Sequence, residues 1–151
     1  LVGRLQRAGA TRVFVGGERD DVAVIARDAA QPDANIVVAS GETLRSAGDV
    51  PLAAGTLMVA LPEWIDVTEP EVAAAFADRR LLAQGYVMPA YAAVEVAHAA
   101  IAGQLLPASL SGRDFTTAIG TIRFDEKGDL GENPYRLFRF DGARFTEVTV
   151  P

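Results

Sequence analysis

Residues 119–130 read Ile-Gly-Thr-Ile-Arg-Phe-Asp-Glu-Lys-Gly-Asp-Leu, and residues 134–145 read Pro-Tyr-Arg-Leu-Phe-Arg-Phe-Asp-Gly-Ala-Arg-Phe. The first segment is a short β-branched run that ends in a charged turn. The second segment alternates between apolar and polar side chains until Asp141-Gly142, a two-residue hairpin signal between aromatic residues. The sequence therefore predicts a strand near Thr121–Phe124 and a β-hairpin over Tyr135–Val148.

Composition limits the classes of function that this chain can have. It has 151 residues, 50% of them hydrophobic, so we expect one domain, or one and a part, with a buried core. The 14 Lys and Arg residues are outnumbered by 20 Asp and Glu residues. This acidic balance argues against nucleic acid as a partner, because binding to phosphates requires clustered positive charge. The absence of cysteine excludes disulfides and thiolate metal sites.

The first part of the chain alternates between strand and helix patterns. Strand candidates are Thr11–Val15, Ile36–Ala39 and Thr56–Leu61. A helix between the first two strands is predicted by apolar residues at helical spacing, namely Val22, Ile25, Ala26 and Ala29. Acidic residues precede that helix, as its N-terminus favours. The order predicts an α/β fold with parallel βαβ units.

Two further helices are predicted beyond residue 67. Thr68 is the predicted N-cap of the first, because Glu71 follows three residues later. The second, Tyr86–Ala102, is apolar on nearly every side, and such a helix is normally buried. Leu1–Gly9 has the pattern of the last two turns of a helix, with Leu1, Leu5 and Ala8 on one apolar face. We therefore expect this chain to be a piece of a longer protein.

Several short motifs occur here in the order typical of one protein family. They are Gly16-Gly17 after a strand, the turn from Ala39 to Glu42, Gly85-Tyr86, the run from Ala90 to Val94, and the segments quoted first. On these motifs the chain resembles the C-terminal portion of type 1 periplasmic binding proteins. These are the Leu/Ile/Val-binding-protein-like solute receptors of branched-chain amino acid ABC transporters.

This resemblance implies a fold and a division of the chain between two lobes. The fold is α/β, with parallel-sheet βαβ units of one lobe, helices and strands that return to the other lobe, and a C-terminal β-hairpin. Residues 1–66 would belong to the second lobe, residues 67–130 would return to the first, and residues 131–151 would rejoin the second as the hairpin.

The resemblance also implies a function. The protein would be a solute-binding receptor of an ABC importer, located in the periplasm or cell envelope, with the ABC permease as its partner. It would bind an amino acid or a related small carboxylate or amide between two lobes, without a cofactor. An alternative is a ligand-sensing receptor domain of the same fold that controls a partner protein.

Ligands of open parallel sheets lie beyond the carboxyl ends of the strands. These ends fall here at Gly16–Asp21, Ser40–Thr43 and Pro62–Trp64. Glu42 is the main candidate, because the family places an acidic residue at this turn against the ammonium group of the ligand. Such a pair makes charge-assisted hydrogen bonds. Alternatively, Glu42 only begins a helix, where acidic residues are common.

The other candidate ligand-binding residues are Gly17, Glu18, Arg19, Gly41 and Trp64. Glu18 and Arg19 replace the aromatic residue that relatives often carry after the Gly-Gly pair, which argues against a simple aliphatic amino acid as ligand. Arg19 could bind a ligand carboxylate or be a solvated charge at a helix start. Trp64 could line the cleft or cover the hinge.

No catalytic residues and no metal site are predicted. The chain lacks Gly-x-Ser-x-Gly and phosphate-loop motifs. An α/β enzyme that uses Glu42 and Arg19 is the least favoured hypothesis, since a carboxylate and a cation alone define no reaction. His98 reads as a packed helix residue, and residues 125–129 as a turn rather than a calcium loop. Because Tyr86–Ala102 would expose an apolar face, we expect self-association.

Overall fold

The computed structural model describes residues 1–64, 68–83, 85–106 and 109–149. These residues form two compact units. The first unit is Leu1–Leu61 together with the segment from Tyr135 onwards, and the second is Pro62–Pro134. The boundary expected at 66/67 lies outside the described residues, and the assignment of the units to lobes stays a prediction.

Helices and strands alternate in the first half of the chain. In chain order the elements are α1 (Val2–Arg7), β1 (Arg12–Val15), α2 (Arg19–Ala29), β2 (Val37–Ser40), a 3₁₀ turn (Glu42–Arg45), β3 (Leu57–Ala60), α3 (Pro70–Asp78), α4 (Val87–Ala102), β4 (Asp114–Thr117), β5 (Gly120–Arg123), β6 (Arg136–Phe140) and β7 (Phe145–Glu147).

A five-stranded sheet organises the first unit, with the strand order β1-β2-β3-β6-β7. β1, β2 and β3 are parallel, whereas β6 runs antiparallel to β3 and β7 antiparallel to β6. The predicted parallel βαβ arrangement is therefore confirmed, and the C-terminal hairpin extends the same sheet.

The core of the first unit lies between α2 and one face of this sheet. Val22 and Met58 are fully buried there, and Val38 and Phe138 nearly so. The apolar residues predicted for α2 line its packed face: Val22, Ala26 and Ala29 are buried and Ile25 is partly buried. The burial of apolar surface stabilises this layer, by about 25 cal/mol for each Å² removed from water.

The first helix differs in detail from its prediction. We expected Leu1, Leu5 and Ala8 to form its apolar face, but Leu1 is exposed and Val2 is buried instead. The helix begins at Val2, so Val2 rather than Leu1 joins Leu5 in the core. Gly9 follows the helix with a φ of 78°, a left-handed conformation that glycine adopts without strain.

The C-terminal hairpin turns one residue later than predicted. Phe140 pairs with Phe145, and the N–H of Asp141 donates to the carbonyl of Arg144. The two central residues are therefore Gly142 and Ala143, not Asp141 and Gly142. Asp141 precedes the turn, and its carboxylate accepts the N–H groups of Ala143 and Arg144. The φ of 109° at Gly142 suits glycine at the first central position.

The second unit contains α3, α4 and a two-stranded antiparallel sheet of β4 and β5. Thr68 is not the N-cap of α3, because Glu69 occupies that position and makes no side-chain capping bond. The hydroxyl of Thr68 instead donates to the carbonyl of Trp64. β5 matches the strand predicted near Thr121–Phe124, whereas β4 was not predicted.

The helix α4 packs by one narrow row of side chains, Met88, Ala92 and Val96. Within the second unit it leaves Val94 and Ile101 exposed, at 68% and 78%. The expectation that this helix is buried is therefore met on only one of its sides. Among the described residues, no helix has both the length and the apolar character that crossing a bilayer would require.

Candidate functional site

The candidate site lies at the carboxyl edge of the parallel strands in the first unit. Because β1 and β2 are parallel and adjacent, the turns that follow them meet at this edge. The hydroxyl of Ser40 donates to the carbonyl of Val15 at 2.7 Å, and the hydroxyl of Thr43 donates to the carbonyl of Gly17 at 3.2 Å. The structure thereby brings Gly17, Gly41 and Glu42, three of the predicted residues, to one edge.

Three glycines leave space beside the backbone at this edge. A Cβ atom placed on Gly16, Gly17 or Gly41 would meet no other heavy atom within 4 Å. Their backbone is therefore accessible to a small molecule. α2 begins just beyond, at Arg19, so its unpaired N–H groups provide a favourable environment for an anion.

Glu42 lies at the start of the 3₁₀ turn, and its side chain is only 22% exposed. Its Oε1 atom is 3.7 Å from Nε of Arg45. Its Oε2 atom is buried, and no described residue donates a hydrogen bond to it. A buried acceptor without a donor costs about 1–3 kcal/mol, so this carboxylate has unused capacity for a cation or a donor.

Arg45 was not among the residues predicted from the sequence. Its Nη2 atom donates to the carbonyl of Leu61 at 2.7 Å, and its guanidinium carbon lies 5.1 Å from the centre of the Phe138 ring. Burial lowers the pKa of Arg45, and the negative charge of Glu42 partly opposes that shift. The available signal was the spacing, since residues i and i+3 of a helical turn are neighbours.

Arg19 and Asp20 bind a loop of the same unit. Nη1 of Arg19 is 2.8 Å from Oδ1 of Asp20 and also donates to the carbonyl of Val50. The Asp20 carboxylate accepts the N–H groups of Asp49 and Val50, at 3.0 and 3.3 Å. The hydrogen bond from the Asp49 N–H is the main cause that lowers the pKa of Asp20. These contacts favour the loop-binding role of Arg19 over contact with a ligand carboxylate.

The two remaining predicted residues have different environments. Glu18 is exposed at the N-cap position of α2 and makes no capping hydrogen bond, so its carboxylate stays at the surface of the edge. Trp64 belongs to the second unit, where it is buried and its carbonyl accepts the Thr68 hydroxyl. In the part of the chain that the structure describes, its indole N–H has no acceptor.

Polar groups elsewhere in the described residues can be compared with this edge. Within the described ranges, no three His, Asp or Glu side chains are placed to hold a metal ion. Oδ1 of Asp125 accepts the N–H groups of Lys127 and Asp129, which confirms that this segment is a turn. A cavity of about 280 Å³ lies beside that turn and Leu110.

Two curated proteins match nearly the whole chain. A leucine-, isoleucine-, valine-, threonine- and alanine-binding protein of Pseudomonas aeruginosa is 31% identical over an alignment that covers 98% of the chain. Leu/Ile/Val-binding protein homolog 3 of Brucella melitensis is 28% identical, with 95% of the chain covered. The chain is a homologue of Leu/Ile/Val-binding proteins. It spans 43% of the length of each of these relatives, and no protein-family model matches it.

Several solved structures are similar in fold to this chain. An extracellular ligand-binding receptor from Rhodopseudomonas palustris aligns with a TM-score of 0.63 at 15% identity, over 98% of this chain and 50% of its own. An ABC transporter substrate-binding protein from Desulfitobacterium hafniense, in complex with Leu, aligns with a TM-score of 0.60 at 18% identity, over 97% and 46%.

The LpoA C-domain from Haemophilus influenzae, described as a regulator of PBP1A, aligns with a TM-score of 0.58 at 13% identity, over 98% of this chain and 48% of its own. At such identities these likenesses concern the fold. They confirm the predicted α/β class of type 1 periplasmic binding proteins.

Proposed function

We propose that this protein is a solute-binding receptor of an ABC importer and that Glu42 binds the ammonium group of an amino acid or related small solute. The observation that supports this most directly is the position of Glu42. Its partly buried carboxylate lies at the carboxyl edge of parallel strands, and one of its oxygen atoms has no donor among the described residues. A ligand ammonium would supply charge-assisted hydrogen bonds there, which are stronger than neutral ones.

The same edge offers a complementary environment for a ligand carboxylate. The open backbone of Gly16, Gly17 and Gly41 lies beside the N-terminus of α2, where the partial positive charge of the helix favours an anion. An acid near the ammonium and a helix start near the carboxylate would suit the two ends of a zwitterion. We therefore propose Gly17 and Gly41 as backbone contacts, and we retain Glu18 and Trp64 as candidate contacts whose roles remain predictions.

The names of the homologues support an amino acid as the ligand, and the Leu complex of the Desulfitobacterium hafniense protein makes leucine the first molecule to test. Because Glu18 and Arg19 argue against a simple aliphatic ligand, polar amino acids are tested beside it. The ABC permease as partner, a periplasmic or cell-envelope location, closure of a second lobe over the ligand and the absence of catalysis all follow from the resemblance. They form part of the same proposal.

Sensing is the second candidate function. The fold likeness to the LpoA C-domain, which is described as a regulator, supports it, because the same fold then occurs outside transport. Genes for a permease and an ATPase beside the gene for this protein would favour transport. Their absence, combined with ligand-dependent binding to another protein, would favour sensing.

Isothermal titration calorimetry on the natural gene product that contains this chain tests the receptor proposal. The panel comprises L-leucine, other amino acids, amides and small carboxylates. We expect one amino acid to bind, and Glu42→Gln to weaken its binding about 10–100-fold, because a charge-assisted pair becomes a neutral one. Glu126→Gln, the same change at an exposed turn, should leave affinity unchanged. Absence of binding to every class in the panel would refute the proposal.

A further inference from the structure

Arg45 connects Glu42 to two other elements of the first unit. Besides its 3.7 Å approach to Oε1 of Glu42, the guanidinium binds the carbonyl of Leu61, just after β3, and lies over the ring of Phe138 on β6. Its side chain is 23% exposed. The hydrogen bond to the backbone carbonyl and the aromatic face limit the freedom of this cation, and at 3.7 Å its contact with the Glu42 carboxylate is an ion pair, longer than a hydrogen bond.

A second Arg–acid pair in the same unit has the same spacing but lacks these anchors. Arg144 and Asp141 have the same i,i+3 spacing, with Nε of Arg144 3.9 Å from Oδ2 of Asp141. The side chain of Arg144 is 81% exposed, and among the described contacts it has no aromatic face or distant carbonyl as an anchor. Exposed pairs of this kind contribute little, because water screens them and both side chains must be ordered.

The anchoring of Arg45 has a consequence for Glu42. The 3₁₀ turn is only four residues long and would by itself hold its side chains loosely. Because Arg45 is fixed to Leu61, just after β3, and to Phe138 on β6, the position of the Glu42 carboxylate is set by the sheet edge. Without that cation, a partly buried carboxylate would be left uncompensated, and it would gain solvation by rotating towards water.

We propose that Arg45 is a positioning residue for ligand binding, which holds the Glu42 carboxylate at the sheet edge in the place where it meets the ammonium group of the ligand. This inference rests on the proposed function. Arg45 itself touches no ligand in this scheme. It acts by removing the need to order Glu42 during binding, and such preorganisation increases affinity.

The test measures recognition of the ammonium group rather than affinity alone. Calorimetry on the natural gene product gives the affinity for the tightest-binding amino acid of the panel, with L-leucine as first probe, and for the same molecule without its amino group, 4-methylpentanoate in the case of leucine. The ratio of the two affinities reports the contact with Glu42. We expect Arg45→Met to lower this ratio about tenfold and Arg45→Lys to restore part of it.

Two controls separate positioning from simple stabilisation. Arg144→Met, the same substitution in the exposed pair, should leave the ratio unchanged. In a Glu42→Gln background, Arg45→Met should cause no further loss of the ratio, because the carboxylate that it positions is already gone. If circular dichroism shows that Arg45→Met does not fold, Arg45→Lys replaces it in the same measurements. We then expect Arg45→Lys to lower the ratio, but by less than Glu42→Gln does.

An equal loss of affinity for both probes would overturn the proposal, since it would show that Arg45 only stabilises the fold. An unchanged ratio in both Arg45 variants would also overturn it. These failures differ from failure of the proposed function itself. In that case the unmodified protein would bind no amino acid, or Glu42→Gln would leave the ratio unchanged.

Discussion

The helices α2 and α4 are both rich in apolar residues, yet they use them differently. α2 directs Val22, Ala26 and Ala29 into the core of the first unit, and its charged residues Asp21, Arg27 and Asp28 are exposed. α4 has only Glu95 and His98 as polar residues, but it buries only Met88, Ala92 and Val96. An apolar helix is therefore buried only as far as its own unit provides a surface to cover it, and composition alone does not reveal that surface.

The same substitution, Val to Ala, made once on each helix tests this comparison most directly. Val22→Ala should lower the free energy of unfolding by about 2 kcal/mol, through lost transfer energy and a cavity in the α2–sheet layer. Val94→Ala on α4 should change it by less than about 0.5 kcal/mol, because the Val94 side chain is 68% exposed. Urea unfolding followed by circular dichroism measures both. Equal losses would mean that Val94 is covered in solution.

The predicted self-association would cover the exposed apolar side of α4. We expect copies of this chain to associate at high concentration through the exposed apolar residues of α4, since large apolar surfaces mark sites of interaction. Val94→Asp and Ile101→Asp should then shift the chain towards monomer in analytical ultracentrifugation, each weakening association about tenfold or more. Leu130→Asp, the same change at another exposed apolar residue of the second unit, serves as the control. A monomer at all concentrations would refute this prediction.

The same contrast explains how far the sequence could predict the fold. The α2 stripe and the strands around it were predictable because a parallel sheet packed against a helix imposes both the 3.6-residue period and continuous apolar runs. The buried side of α4 was not, because an apolar helix without polar residues at regular spacing has no period to indicate its packed face. β4 was missed for a related reason: Asp114–Thr117 is too short for alternation to stand out.

The candidate site was predictable only in part. Glu42, Gly17 and Gly41 followed from the rule that ligands bind beyond the carboxyl ends of parallel strands, together with the family resemblance. Arg45 could not be found in this way, because its partners at Leu61 and Phe138 are distant in sequence and meet only through strand pairing. The binding of Arg19 to the loop at Val50 likewise depends on how that loop returns to α2.

The contact between α2 and the loop at Asp49 and Val50 is expected to contribute the smallest of these effects on stability. The Asp20 carboxylate at the start of α2 accepts the N–H groups of Asp49 and Val50, so Asp20→Asn should loosen the loop and lower the melting temperature at pH 7 by a few degrees. Because these bonds lower the pKa of Asp20 from its ordinary value of 3.8, the folded form binds its proton less readily than the unfolded form does.

The stabilising contribution of the Asp20 carboxylate is therefore fully present above about pH 4 to 5 and is lost as the pH falls through the lowered pKa. The melting temperatures of Asp20→Asn and the unmodified protein should then converge below pH 4. Asp28→Asn, on the same helix but paired among the described residues with its exposed neighbour Arg27, should not differ from the unmodified protein at pH 7. If Asp20→Asn is as stable as the unmodified protein at pH 7, the hydrogen bonds of Asp20 to the loop contribute nothing to stability. The stability of α2 then comes from its apolar face alone.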